Sequence, residues 1–149
     1  MIISDPLLID TNVLVYAHNQ DSPFHKQSLS LVKAAIAGEF RGVLAEQNLV
    51  EFYSIVTDKR RIAKPLPPLR ARELLEDYLK LPFEIIFPNK ETIGKLFMLC
   101  KESKIKNGRV FDAHLAATML SHQIKHIVTA NVKDFKSFTE IKVLNIEDC

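Results

Sequence analysis

Short apolar runs alternate along this chain with longer stretches whose apolar residues recur every three or four positions. LLID at 7–10, GVLA at 42–45, FEIIF at 83–87, HIVTA at 126–130 and IKVLNI at 141–146 read as strands. Between them the spacing predicts helices. TNVLVYAHN forms a turn or two after the first strand. Ser22-Pro23 reads as an N-cap with proline at the first helical position, opening a helix that carries Leu29, Val32, Ala35 and Ile36 on one face and stops at Gly38. A helix over about Glu46 to Arg60 buries Leu49, Phe52, Tyr53 and Val56. After Pro65, Pro67 and Pro68, a helix over about Leu69 to Leu81 turns Leu74, Leu75, Tyr78 and Leu79 inward. Pro88-Asn89 precedes a helix to about Ser103 with Ile93, Leu96, Phe97 and Cys100, and Asn107-Gly108 breaks the pattern. An alanine-rich helix over about Arg109 to His122 completes the set.

Strands separated by helices imply βαβ units and a parallel sheet with helices on both faces. The strands are short continuous apolar runs, as strands covered on both sides should be. In such sheets, sites form beyond the carboxyl ends of the strands. No repeat, low-complexity tract or linker divides the chain, so residues 1–149 are expected to form a single domain.

Composition is that of an ordinary globular protein, 47% apolar and 26% charged. No apolar run reaches the roughly 20 residues of a membrane span. MIISDPLLID lacks the basic start and long apolar core of a secretory signal. Cys100 and Cys149 have no metal-ligand spacing, and a reducing cytoplasm is the expected location. The net charge is only +2, but the basic residues cluster. Lys59, Arg60, Arg61 and Lys64 follow one helix, and Lys101, Lys104, Lys106 and Arg109 precede another. Basic groups beside an acidic centre suit a polyanionic substrate. Solvated residues favouring helix dipoles are the structural alternative.

Four acids stand in apolar settings: Asp10 after the first strand, Glu51 and Asp112 within helices, and Asp134 after the fourth strand. Isolated buried carboxylates are costly. A shared divalent cation, Mg²⁺ or Mn²⁺, explains all four together. Such ions serve phosphodiester cleavage without a nucleophilic side chain. The chain has no Gly-x-Ser-x-Gly elbow, no Gly-rich phosphate loop and no dinucleotide-binding glycine fingerprint. Taken singly, each acid has a plainer role. Asp10 reads as a helix N-cap, Glu51 as a surface residue, Asp112 as an acid favoured by the helix dipole and Asp134 as a turn cap. Asn131 is a further polar candidate, as ligand or carboxylate-orienting group. No histidine is expected to bind metal, and His114 is expected to point away from Asp112.

The motifs LLIDTNVLVYA, AEQNLVEFYSIVT, GRVFDAHLAATM and IVTANVKDF, in this order over nearly the whole chain, resemble the PIN-domain family and, within it, the VapC-type toxins of toxin–antitoxin systems. The resemblance implies a three-layer α/β/α sandwich with a mainly parallel sheet of four to five strands. It implies a Mg²⁺- or Mn²⁺-dependent endoribonuclease acting on RNA. By position, Asp10, Glu51 and Asp112 match the family's three core acids, Asp134 the more variable fourth and Asn131 the polar residue before it. Thr11 and Asn12 match supporting residues. Toxin members form homodimers and are silenced by a small antitoxin protein. An RNA-processing nuclease that is not a toxin, or a non-catalytic binding module on the same fold, are the alternatives. A phosphatase with Asp10 as nucleophile requires a second Asp at the position of Asn12.

Overall fold

The computed structural model describes residues 4–149, so Met1–Ile3, part of the segment read for a secretory signal, lie outside it. Five strands, β1 (Leu7–Ile9), β2 (Gly42–Ala45), β3 (Glu84–Ile86), β4 (His126–Thr129) and β5 (Lys142–Asn145), form one sheet in the order β3-β2-β1-β4-β5. Every neighbouring pair is parallel. Six α-helices connect them: α1 (Thr11–His18), α2 (His25–Ile36), α3 (Glu46–Val56), α4 (Pro68–Lys80), α5 (Thr92–Glu102) and α6 (Val110–Ser121).

Period-two alternation divides the core into two layers. Leu7 and Ile9 of β1, Leu44 of β2 and Val128 of β4 face α1, α2, α3 and α4. Leu8, Val43, Ala45 and Ile127 point the other way, onto α5 and α6. The result is the expected α/β/α arrangement. β2 and β4 lie on either side of β1, so the order of connections reverses between β1 and β4. At such a switch point the chain leaves the two strands in opposite directions and opens a crevice above their carboxyl ends. No helix among the described residues is long and apolar enough to cross a membrane.

Several boundaries differ from expectation. α3 stops at Val56, before Arg60, because the next residues prefer a turn. Thr57 Oγ1 donates to the Tyr53 carbonyl, and Asp58 Oδ1 accepts from the Arg60 amide. α2 starts at His25, after a turn in which Ser22 Oγ accepts from the Phe24 amide. The proline after Ser22 thus sits in the turn and not in the helix. Leu74 and Leu75 are only partly buried beneath α4, where Ala71 and Tyr78 are fully inward. Ile36, Tyr53, Leu79, Ile93 and Phe97, expected inward, are exposed. Each neighbours a residue that does face the sheet, and a helix facing only one layer buries a stripe narrower than its apolar face.

Candidate active site

Asp10 lies one residue beyond β1, at the switch point. Its amide continues the ladder by donating to the Val128 carbonyl at 3.0 Å. It is also the N-cap of α1, with Oδ1 accepting from the Thr11 amide at 2.8 Å. The plain reading of this acid as a helix cap therefore holds. Its other oxygen, Oδ2, accepts from the Thr129 hydroxyl at 2.7 Å and from Asn12 Nδ2 at 3.3 Å. Thr129 ends β4, which the sheet places beside β1. Asn12 also donates to Thr129 Oγ1 and accepts from the Ala130 amide, so its side chain is fully engaged in tying the two strand ends together. A side chain so used supplies no acid, which disfavours the phosphatase reading.

Glu51 reaches the same crevice from α3, half-buried. Oε2 accepts from Thr11 Oγ1 at 3.3 Å and Oε1 from Gln47 Nε2 at 2.7 Å. Thr11 Oγ1 in turn accepts from Asn48 Nδ2 at 3.0 Å. Asn48 is fully buried, and its Oδ1 accepts from the Ala45 amide at the start of α3. One side chain thus caps the helix that carries Glu51 and orients the threonine that holds it.

Asp112 lies in the first turn of α6, half-buried. No hydrogen-bond donor among the described residues reaches its carboxylate. Asp134 ends a short 3-10 turn over Val132–Asp134, and its carbonyl accepts from Arg109 Nη2 at 2.9 Å. Asn131 opens that turn. Its backbone amide, not its side chain, is engaged, donating to Thr129 Oγ1 at 3.0 Å.

Electrostatics show the four acids to be neighbours. Burial pushes the Asp10 carboxyl up to about 6 against the pull of the Thr129 and Thr11 hydrogen bonds, and the charges of Glu51 and Asp112 add to the rise. Burial likewise lifts Asp112 to about 6, reinforced by Asp134 and Glu51 and opposed by Arg109. Each basic cluster sends one arginine to this region. Arg109 faces Asp112, and Arg61 lines a shallow cavity of about 160 Å³ beside Asn12, Tyr16 and Ile55. Arg60 is instead held by Asp58 at 2.9 Å. A larger cavity of about 530 Å³, between α2 and Cys149, contains none of the four acids.

Among the described residues no group of three carboxylate, histidine or cysteine side chains forms a ready-made metal cage. The donor set nevertheless fits Mg²⁺ or Mn²⁺. These ions take oxygen ligands, and Mg²⁺ keeps several waters while binding through one or two carboxylates. The half-buried Asp112 carboxylate has no hydrogen-bond donor among the described residues and feels Asp134 and Glu51 as well as Arg109, so it has lone pairs free for a cation.

Residues 7–141, a span that includes all four acids, match the PIN domain family. The chain belongs to the PIN-domain family. Among PIN-domain proteins it is 28% identical over 132 residues to Ribonuclease VapC24 of Mycobacterium tuberculosis, covering 89% of this chain and 90% of that protein. It is 29% identical over 136 residues to Ribonuclease VapC37 of the same organism, covering 91% and 93%. The PIN fold superposes on VapBC2 from Rickettsia felis, solved bound to a DNA fragment from its promoter, with a TM-score of 0.69 at 19% identity over 94% of this chain and 98% of that one. It also superposes on VapC20 of Mycobacterium tuberculosis, described as a Sarcin-Ricin loop cleaving toxin, with a TM-score of 0.59 at 14% identity over 81% and 86%.

Thr129, Asn48 and Gln47 escape a reading of the sequence for acids, though they hold Asp10 and Glu51 in place. The signal for Gln47 is its i,i+4 spacing from Glu51. Thr129 and Asn48 carry no such local signal. His114, expected to point away from Asp112, lies against Gln47, its Nδ1 2.9 Å from Oε1.

Proposed function

We propose that this PIN-domain protein is a metal-dependent endoribonuclease that hydrolyses RNA phosphodiester bonds, and that it is the toxin of a toxin–antitoxin pair acting in the cytoplasm. The observation that carries the proposal is the convergence of Asp10, Glu51 and Asp112 from the end of β1, α3 and α6 on the switch point of the sheet, close enough for their charges to act on one another. Neutral donors hold Asp10 and Glu51, none among the described residues reaches Asp112, and a shared cation would relieve the repulsion among the three. Asp10, Glu51 and Asp112, with Asp134 beside them, would hold Mg²⁺ or Mn²⁺. A bound ion of this kind supplies Lewis-acid activation of a water and neutralises charge at the scissile phosphate.

The chain's own residues do the rest. Thr129, Asn12 and the Thr11 amide keep both Asp10 oxygens aimed and charged. Thr11 and Gln47 hold the two oxygens of Glu51 in place. Arg61 and Arg109 offer charge to flanking phosphates, as guanidinium groups do in forked hydrogen bonds.

Relatives named as ribonucleases over nine-tenths of the chain support the activity. Solved toxin–antitoxin complexes of the same fold support a small antitoxin partner. Ile93, Phe97 and Met98 of α5 are exposed, which supports a homodimer, since clustered surface apolar groups mark protein interfaces.

The test is cleavage of a structured RNA with Mg²⁺, with Mn²⁺ and with chelator. Cleavage by the wild-type protein that needs the metal and is lost in both Asp10→Asn and Asp112→Asn is the expected result. Full cleavage by either folded variant refutes the assignment.

A further inference from the structure

Gln47 and Glu51 share one face of α3, one turn apart. Gln47 Nε2 donates to Glu51 Oε1 at 2.7 Å and to the Phe111 carbonyl oxygen at 2.9 Å. Both amide protons are thereby used. The amide oxygen lies 2.9 Å from His114 Nδ1. An amide oxygen only accepts, so the proton in this contact is on Nδ1. Turning the amide over sets its oxygen against Glu51 Oε1 and the Phe111 carbonyl, two acceptors, and its NH₂ against an N–H donor. The orientation of Gln47 is therefore determined from both ends.

This bridge also fastens two helices. Phe111 and His114 bracket Asp112 on α6, while Gln47 and Glu51 belong to α3. One side chain thus spans the gap between the helices that carry two of the site's carboxylates. The other Glu51 oxygen is held from a third element, by Thr11 of α1. A carboxylate gripped at both oxygens has little freedom left to rotate, and it presents its remaining lone pairs in one direction.

We propose that Gln47 and His114 are positioning residues: His114, protonated on Nδ1, locks the Gln47 amide, which turns the Glu51 carboxylate toward the divalent cation and sets its distance from Asp112. The inference rests on the reading of this site as a Mg²⁺ or Mn²⁺ centre. Groups that orient metal-binding carboxylates through hydrogen bonds typically change metal affinity or activity by about 10–100-fold when removed. His114 acts through a donor position that an asparagine side chain can reproduce with its amide nitrogen, whereas leucine cannot.

The experiment measures Mn²⁺ affinity by calorimetry for the wild-type protein, His114→Leu, His114→Asn and Gln47→Leu, with the melting temperature of each metal-free protein alongside. His114→Leu and Gln47→Leu are expected to weaken Mn²⁺ binding about tenfold or more, and His114→Asn to restore most of it. A role confined to packing would not follow the donor. Binding by a folded His114→Leu protein equal to wild type overturns the inference alone, as does His114→Asn as weak as His114→Leu. Failure of the wild-type protein to bind Mn²⁺ overturns the metal-centre reading itself. Nitrogen-15 spectra of the unmutated protein provide a check that needs no variant to fold. A proton on His114 Nδ1 is expected, and an Nδ1 that carries none overturns the inference.

Discussion

Thr129 gives its hydroxyl proton to Asp10 Oδ2 across 2.7 Å, joining residues 119 positions apart in the chain. The direction of this bond follows from its surroundings. Thr129 Oγ1 already accepts from Asn12 Nδ2 and from the Asn131 amide, so its own proton is left for the carboxylate. Thr129→Val keeps the shape and removes every one of these bonds. It leaves Asn12, the Asn131 amide and Asp10 short of a partner in a buried place. The expected loss is about 1–3 kcal/mol of stability, together with weaker cleavage. Chemical denaturation and RNA cleavage at saturating Mn²⁺ measure the two effects, and a variant as stable and active as wild type contradicts the assigned role.

Asp112 and Asp10 differ in a way that stability should reveal. The folded protein holds protons on both carboxyls up to about pH 6, whereas the ordinary value is 3.8. The folded state therefore binds more protons within that window. Stability falls as pH rises through it, and the whole cost is present above about pH 6. For the buried Asp10 the cost is on the order of 3 kcal/mol. For the half-exposed Asp112 solvent screening reduces it to on the order of 1 kcal/mol. Asp112 accepts no hydrogen bond that asparagine would lose. In chelator at pH 7.5, Asp112→Asn is expected to melt roughly 2–4 °C above wild type. Asp10→Asn turns an NH₂ toward the donors Thr11, Asn12 or Thr129, so it gains less or loses stability, while its dependence on pH between 5 and 7.5 shrinks. Melting curves at the two pH values test both statements.

Much of the fold is legible in the chain because its strands are short apolar runs and its helices carry periodic stripes. The ends of elements are less so. α3 stops where Asp58 captures the Arg60 amide, a local competition that apolar periodicity does not register. Ile93 and Phe97 show a second limit, since an apolar helix face is read as inward whether or not the fold supplies a layer to cover it. In the site, the four acids stand out because charge in an apolar run is unusual. Their supports do not. Asn48, Thr129 and Gln47 are ordinary polar residues in the sequence. Their roles arise only once β4 lies beside β1 and α6 beside α3.

Gly42 tests the close approach of the α2 layer to the sheet. A Cβ at this position would stand 2.9 Å from Phe83 Cδ1 and 3.0 Å from the Ala35 Cβ. Both neighbours are buried in the same core layer, and neither is the far end of a flexible chain. Gly42→Ala is expected to destabilise the protein by about 1–3 kcal/mol through overpacking. Gly42 opens β2 at the end of the sheet away from the acids, so Mn²⁺ affinity should not change. Denaturation midpoints and a Mn²⁺ titration separate the two effects, and an unchanged midpoint would show that the layer yields without cost.

Metal binding should be felt by the whole fold because the carboxylates that repel one another come from α3, α6 and the end of β1. A ligand that binds only the folded state at a hundredfold excess over its Kd stabilises by about 2.7 kcal/mol. Mn²⁺ at that excess is therefore expected to raise the melting temperature of the wild-type protein by several degrees at pH 7.5. At pH 5 the rise should be smaller, because protons on Asp10 and Asp112 compete with the cation and already relieve the repulsion. The double variant Asp10→Asn, Asp112→Asn should show no rise at either pH. A wild-type melting temperature unmoved by Mn²⁺, or one moved equally in the double variant, would place the cation elsewhere than among these carboxylates.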